Sequence, residues 1–199
     1  MIRTIVRHSA EEYIQNICQL GHPNLVENLE IYIGSDASCF LISKFMPTSL
    51  LYIRRAPIYP TEPQLASILH QVLSGLEFLL NCGLVHEQLS CANILVNFAG
   101  EVKICDVENC SRSGDTAALS RSFSKITMNL MDKERVKSTV VGLTHPENWS
   151  HNAINMFTTI TTTPDVKKLL THAFLQKKDQ QELLWLIPFI LITASYNRE

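Results

Sequence analysis

The sequence predicts an α+β fold, with a short β hairpin near the amino terminus and a mostly helical part after it. Two strand-like runs, residues 25–33 and 38–45, flank a Gly34-Ser35-Asp36 turn that is typical of a hairpin. A long amphipathic helix pattern follows Pro60, and after Cys110 only helical patterns recur. Hydrophobic residues make up 46% of the 199 residues and charged residues 18%, a balance that favours a folded core.

The helix boundaries are marked by capping residues. Ser9 and Glu12 form a capping-box pattern for a helix over residues 10–20. Thr61 and Gln64 repeat that pattern at the start of the long helix, which Gly83 is expected to end. Further predicted elements are a helix over 116–131 capped by Asp115, a turn at 97–100, a strand over 101–105, and helices over 149–159, 164–175 and 180–193.

Charge and hydropathy exclude two classes of partner. The formal net charge is −2, so no overall positive field is present to attract nucleic acid or an anionic membrane. The longest apolar run covers residues 183–194 and contains Pro188, whereas a membrane span takes about 20 apolar residues. We therefore expect no nucleic acid, no membrane, and a buried helix at residues 183–194.

The six cysteines predict neither a disulfide framework nor a zinc site. They contain no C-x-x-C pair, and no histidines stand beside them at zinc-binding spacing. Residues 1–7 are too short and too polar for the apolar core of a secretory signal. We therefore expect reduced, mostly buried thiols and a cytoplasmic or nucleo-cytoplasmic location.

Five segments, in order and at matching spacing, resemble the motifs of eukaryotic protein kinases. His22-Pro23-Asn24 resembles the motif that follows the family's helix αC, and residues 40–46 resemble its strand β5 and hinge. Residues 74–79 resemble the end of its helix αE. Residues 84–96 resemble its catalytic loop and 102–108 its D-F-G metal motif. The hairpin and residues 100–110 are most similar to the PAK branch of the Ser/Thr kinases.

The resemblance implies a kinase-like fold with a mostly helical carboxy-terminal lobe and an incomplete amino-terminal lobe. Residues 1–46 correspond to the family's helix αC, strands β4 and β5 and the start of the hinge. Residues 47–175 correspond to the carboxy-terminal lobe, and 176–199 to a further helix. Only eight residues separate Asp106 from Asp115, which implies a nearly deleted activation segment. The family's glycine-rich loop is not present.

Several positions that carry the family's chemistry hold other residues. Gln88 stands at the catalytic aspartate, and a neutral amide cannot accept the substrate proton; losing a general base costs roughly 100- to 10,000-fold in rate. Ser90 stands at the loop lysine, and Glu87 at the arginine. Tyr13 stands at the helix αC glutamate. These changes together predict that phosphoryl transfer is lost, even after Gln88→Asp.

Two metal positions survive. Asn93 and Asp106 match the family's magnesium ligands, although the rest of D-F-G reads Val107-Glu108. A structural role is the alternative, because Asn93 can hydrogen-bond within its own loop and Asp106 can accept from backbone amides. His86 matches a structural histidine, so we expect it to be buried and hydrogen-bonded.

The resemblance also places residues around a nucleotide. Lys44 and Met46 match the hinge. Arg3 stands closest to the family's phosphate-binding lysine, and its alternative interpretation is a mobile terminal residue. Without the lysine or the glycine-rich loop, the surviving ligands imply weak binding of Mg²⁺ and ATP at most.

The sequence thus predicts a pseudokinase that acts as a binding or scaffold module. Two alternatives stay open: a weak or unconventional Ser/Thr phosphotransferase, and a truncated product of a longer kinase-like gene. If the amino-terminal lobe is incomplete, the hairpin has an unpaired edge and an apolar patch, which predicts a protein partner there. That patch consists of Ile31, Ile33, Phe40 and Ile42.

Overall fold

The computed structural model describes residues 1–5, 20–34, 39–134, 141–162 and 165–196. The predicted helix over 10–20, with Tyr13 and its capping residues, lies outside these residues. Ser35 and Asp36 of the predicted turn lie outside them as well.

A three-stranded antiparallel sheet forms the amino-terminal part. Its strands are β1 (Ile2–Ile5), β2 (Asn28–Ile33) and β3 (Cys39–Ser43), in the order β1-β3-β2. The predicted strand pair is therefore confirmed, with strands shorter than expected. Residues 25–27 precede β2 because they pair elsewhere: Leu25 forms a parallel bridge with Ile104.

The prediction of one apolar patch on the hairpin is wrong. Within the described residues, β1 pairs with β3, so β3 has a neighbour on both sides, whereas β2 stays at an edge of the sheet. Ile31 lies opposite Leu41, whereas Phe40 lies opposite Tyr32. Since side chains alternate between the two faces of a strand, Ile31 and Phe40 point to opposite faces of the sheet.

The H-P-N segment fastens this sheet to the rest of the molecule. The Asn24 side-chain amide donates to the backbone oxygen of Val102 at 3.0 Å and to Gln71 Oε1 at 3.2 Å. The Ile104 amide donates to the Asn24 carbonyl at 2.9 Å. Gly75 faces this point, where an added Cβ would lie 3.0 Å from that carbonyl oxygen. A larger residue at position 75 would therefore require this tight contact to shift.

The middle of the chain contains short strands and one helix that the sequence did not predict. The elements are β4 (Thr48–Ser49), α1 (Leu50–Arg55), β5 (Val85–His86), β6 (Ile94–Val96), β7 (Val102–Ile104) and β8 (Cys110–Ser111). β4 pairs with β6, which pairs with β7, while β5 pairs with β8. The helix α1 was not predicted, since six residues give too little periodicity to recognise.

The predicted amino-terminal caps of the two long helices are confirmed. α2 (Glu62–Asn81) begins with the complete Thr61–Gln64 capping box, and Gly83 follows its end at φ +72°. α3 (Thr116–Met131) begins at Asp115, whose carboxylate accepts the Ala117 amide at 2.8 Å. Most of the core lies between these helices and the short strands.

The carboxy-terminal helices are shorter and more often interrupted than predicted. α4 (His151–Thr162) starts two residues later than expected, and the predicted helix over 164–175 consists of α5 (Val166–Leu170) and a 3₁₀ turn at Ala173–Lys177. α6 (Leu183–Tyr196) packs only one face on the core, so the expected buried helix is half exposed. No helix within the described ranges is long and apolar enough to span a bilayer.

The cysteine prediction is confirmed for the thiols that the structure describes. Cys91, Cys105 and Cys110 are buried, Cys82 is partly buried, and all four are free. Burial raises the pKa of Cys91 and Cys105 to about 11 and that of Cys110 to about 12. These buried thiols are therefore protonated and unreactive at neutral pH.

Candidate functional site

The loop between β5 and β6 is closed by its own hydrogen bonds. Asn93 Oδ1 accepts the Ser90 amide at 2.7 Å, and Asn93 Nδ2 donates to the Gln88 carbonyl at 2.6 Å. Both ends of the Asn93 amide are therefore engaged within the loop, as its structural interpretation requires. The Gln88 side chain, which is exposed, offers no charge to a substrate hydroxyl.

His86 joins this loop to β7, and its predicted burial and hydrogen bonding are confirmed. The ring is 1% exposed. Its Nε2 lies 3.0 Å from the Cys105 carbonyl oxygen, and its Nδ1 accepts the Gln88 amide at 3.3 Å. Only a neutral ring with the proton on Nε2 satisfies both contacts. His86 is thus a structural link with no free nitrogen for proton transfer.

The neutral state of His86 predicts a loss of stability in acid. Burial lowers the pKa of His86 below 6.5, so the unfolded chain takes up a proton that the folded chain does not. Stability therefore falls as the pH drops from 6.5 towards the folded pKa, by at most about 1.4 kcal/mol per pH unit. Urea unfolding at pH 7.5 and 5.5 should show a smaller difference for His86→Gln than for the wild type.

His145→Gln provides a control of opposite sign. Its hydrogen bond to Glu147 raises the pKa of His145, so its contribution to stability is lost as the pH rises. The His145→Gln variant should therefore lose more stability than the wild type on acidification. A His86→Gln variant with an unchanged pH dependence would contradict the neutral assignment.

The segment after β7 turns sharply at Asp106. Asp106 has φ +59°, a left-handed conformation that is uncommon outside glycine. A 3₁₀ turn at Val107–Asn109 follows, and then β8. This backbone directs the side chains of Asp106 and Glu108 to one place, the side chain of Arg3 on β1.

Arg3, Asp106 and Glu108 form an ion triad between the sheet and the rest of the chain. The Arg3 guanidinium contacts an Asp106 carboxylate oxygen and lies 2.9 Å and 3.3 Å from the two oxygens of Glu108. Glu108 is 9% exposed and Arg3 19%. The interpretation of Arg3 as a mobile terminal residue is therefore wrong: its side chain is held by two carboxylates.

This arrangement does not fit a magnesium ion. A cation already contacts Asp106, and the Asn93 oxygen accepts hydrogen bonds from its own loop. Within the described ranges, no group of three or more His, Cys, Asp or Glu side chains is placed to hold a metal. The triad keeps a net charge of −1, and the positive group that faces Asp106 is the Arg3 guanidinium.

The two residues at the hinge positions differ in their exposure to solvent. Lys44 is exposed, with its amide donating to the Glu27 carbonyl at 2.9 Å and its ammonium 3.9 Å from the Glu27 carboxylate. Met46 is buried in a small cluster between the sheet and the short strands. That cluster consists of Val26, Met46, Leu95 and Cys105, with Met1 packed against it.

Sequence reasoning missed the role of Glu108. In the sequence, Glu108 is only the residue at the glycine position of the D-F-G motif. The available signal was the opposite charge of Arg3, about a hundred residues earlier. Only the pairing of β1 with β3 brings these positions together, so the sequence alone could not connect them.

A family comparison agrees with this fold. The family model described as protein tyrosine and serine/threonine kinase matches residues 4–180. The chain belongs to the protein kinase family. The match covers β2, β3 and the helices up to α5, so these are parts of a kinase-like domain, whereas α6 lies beyond the matched residues.

Serine/threonine kinases are among the relatives of this kinase-family chain. Serine/threonine-protein kinase SSN3 of Pyricularia oryzae is 30% identical over 142 residues, which is 69% of this chain and 26% of that protein. Mitogen-activated protein kinase mpkC of Aspergillus oryzae is 33% identical over 89 residues, or 44% and 25%. Serine/threonine-protein kinase CLA4 of Saccharomyces cerevisiae is 31% identical over 102 residues, or 47% and 12%. The chain thus spans about a quarter or less of these curated relatives.

Proposed function

We propose that this kinase-family domain is catalytically inactive and acts as a binding or scaffold module. The observation that supports the proposal is the ion triad, in which the Arg3 guanidinium contacts Asp106, the residue at the family's magnesium position. Gln88 and Ser90 add to it, since neither supplies the charge that phosphoryl transfer needs. Three parts of the chemistry are therefore missing at once.

The test is transfer of labelled phosphate from ATP by the purified full chain. With magnesium present, we expect no labelling of itself or of a generic protein substrate above the level of an Asp106→Ala variant. Asp106-dependent labelling would overturn the proposal.

Restoring the catalytic aspartate alone should not restore transfer. In a Gln88→Asp variant, the new carboxylate could orient a hydroxyl. The Arg3 guanidinium would still be paired with Asp106, and Ser90 would still lack the charge of a lysine. We expect labelling to stay within twofold of the wild type in the same assay. An increase of a hundredfold or more, the usual contribution of a general base, would show that Gln88 is the only defect.

The alternative is a weak phosphotransferase, which the survival of Asn93 and Asp106 favours. It requires Arg3 to release Asp106 when Mg²⁺ and ATP bind. The two proposals differ in a thermal-shift measurement with 5 mM ATP. The alternative predicts a magnesium-dependent rise in melting temperature that Asp106→Ala removes, whereas the inactive module shows none.

We also propose that the chain belongs to the PAK-like branch, which its hairpin and residues 100–110 resemble.

We further propose that the module binds a protein through the outer face of its sheet, the face that carries Tyr32 and Phe40. Tyr32 and Phe40 are exposed there, beside Ile2 and Ile42 on the same face. Exposed apolar side chains that adjoin one another are typical of interaction sites. A Tyr32→Lys variant should bind less of a hydrophobic dye and stay soluble at higher concentration. Unchanged dye binding would argue against this face.

A further inference from the structure

Helix α6 is apolar around its whole circumference. Its 14 residues, LLWLIPFILITASY, include no charged side chain. One face packs into the core. A helix that is apolar on every side is normally covered on every side. The buried face consists of Leu183, Leu186, Ile187 and Ile190.

The opposite face of α6 is uncovered and continuous. Trp185 is 82% exposed, and its neighbours one turn and two turns further on are exposed as well. The spacing of these residues puts them on one side of the helix. We define the α6 stripe as Leu184, Trp185, Pro188, Phe189 and Ile192.

We propose that the α6 stripe of one copy packs against the α6 stripe of a second copy, with the two helices antiparallel. A face without charge is complementary to itself, because no like charges meet across a twofold axis. Trp185 and Ile192 are equally distant from the midpoint between Pro188 and Phe189. A twofold axis at that midpoint therefore places Trp185 of one copy against Ile192 of the other.

The exposed area suits a weak dimer. From the exposed fractions, the stripe offers roughly 500 Å² per copy, since a large side chain buries about 150–250 Å² when fully covered. Two stripes bury about 1,000 Å² in total, which is the lower limit for a specific complex. The dimer should therefore dissociate on dilution through the micromolar range.

A lipid surface fits the stripe less well. Helices that lie on membranes carry lysine or arginine on their polar face, whereas α6 has none. The residues just before α6 include Asp179 and Glu182, and the chain has a net charge of −2. These charges oppose binding to anionic lipid, so a second copy is the occupant that the residues favour.

The proposal is tested by measuring the oligomeric state of the full chain by sedimentation velocity. Protein concentrations from 1 to about 100 µM bracket the affinities expected of small interfaces. The wild type should change from monomer to dimer, and Trp185→Lys should weaken the dimer at least tenfold. Phe45→Lys is the matched control, because it also puts lysine at an exposed aromatic position, just after β3. A monomeric wild type, or a dimer that Phe45→Lys breaks instead, would overturn the proposal.

A mixing experiment tests the antiparallel register. Trp185→Lys and Ile192→Glu variants should each be monomeric alone, and their equimolar mixture should form a heterodimer, since lysine faces glutamate across the axis. A mixture that stays monomeric would contradict this antiparallel register. Trp185-dependent flotation with neutral vesicles, by a chain that stays monomeric, would assign the stripe to lipid. None of these readouts depends on phosphate transfer, so they stand apart from the proposed function.

Discussion

Replacing Arg3 with alanine is expected to lower the free energy of unfolding by about 2–3 kcal/mol, because two carboxylates would then face each other without a cation. Glu108 is 9% exposed, so water can solvate the released charge only in part. The triad also connects β1 to the segment after β7, and its loss should loosen the amino-terminal sheet. Urea unfolding at pH 7 measures the effect.

Arg121→Ala is the matched control for Arg3→Ala. Arg121 also pairs with an aspartate, Asp115 at 3.1 Å, but both side chains are largely exposed. Exposed pairs add little to stability, so we expect no measurable change. The exchange of charges in an Arg3→Glu, Glu108→Arg variant should recover much of what Arg3→Glu alone loses. Equal stability of the Arg3→Ala and Arg121→Ala variants would contradict the role of the triad.

Replacing Lys133 with methionine should lower the free energy of unfolding by about 2–4 kcal/mol, because three backbone carbonyls, one in the last turn of α1 and two after it, lose their donor. The Lys133 ammonium donates to the carbonyls of Ile53 and Ala56 at 2.8 Å each, and also to that of Ile58. It lies 5.2 Å from the centre of the Tyr59 ring, which adds a cation–π contact. Lys133 thus ends α1 and fixes the chain that leads into α2.

Lys125→Met is the control for this second prediction. Lys125 is exposed on α3, eight residues before Lys133. Both variants remove one positive charge and keep an unbranched side chain. Chemical denaturation should therefore separate them: little change for Lys125→Met, and a clearly lower midpoint for Lys133→Met. A similar small change in both would show that water replaces the ammonium at the three carbonyls.

The loss of catalytic groups could be predicted from the sequence because it depends on residue identity at positions fixed by local motifs. Gln88 and Ser90 lie within the same short loop as Asn93, so their spacing survives any change elsewhere. His86 was predicted correctly for the same reason: its partners, the Gln88 amide and the Cys105 carbonyl, lie in the two recognised motifs. The binding partner, the inactivity and the PAK-like branch remain predictions.

By itself, the sequence determined the elements whose signals are local. The capping box at Thr61 and the N-cap at Asp115 set the starts of α2 and α3, because side chain and amide are only two or three residues apart. The tertiary structure alone decided what depends on distant partners. It placed Arg3 against Asp106 and Glu108, put Ile31 and Phe40 on opposite faces, and left one side of α6 uncovered. Strand register and helix docking fix these outcomes, and both are set by the packing of residues far apart in the chain.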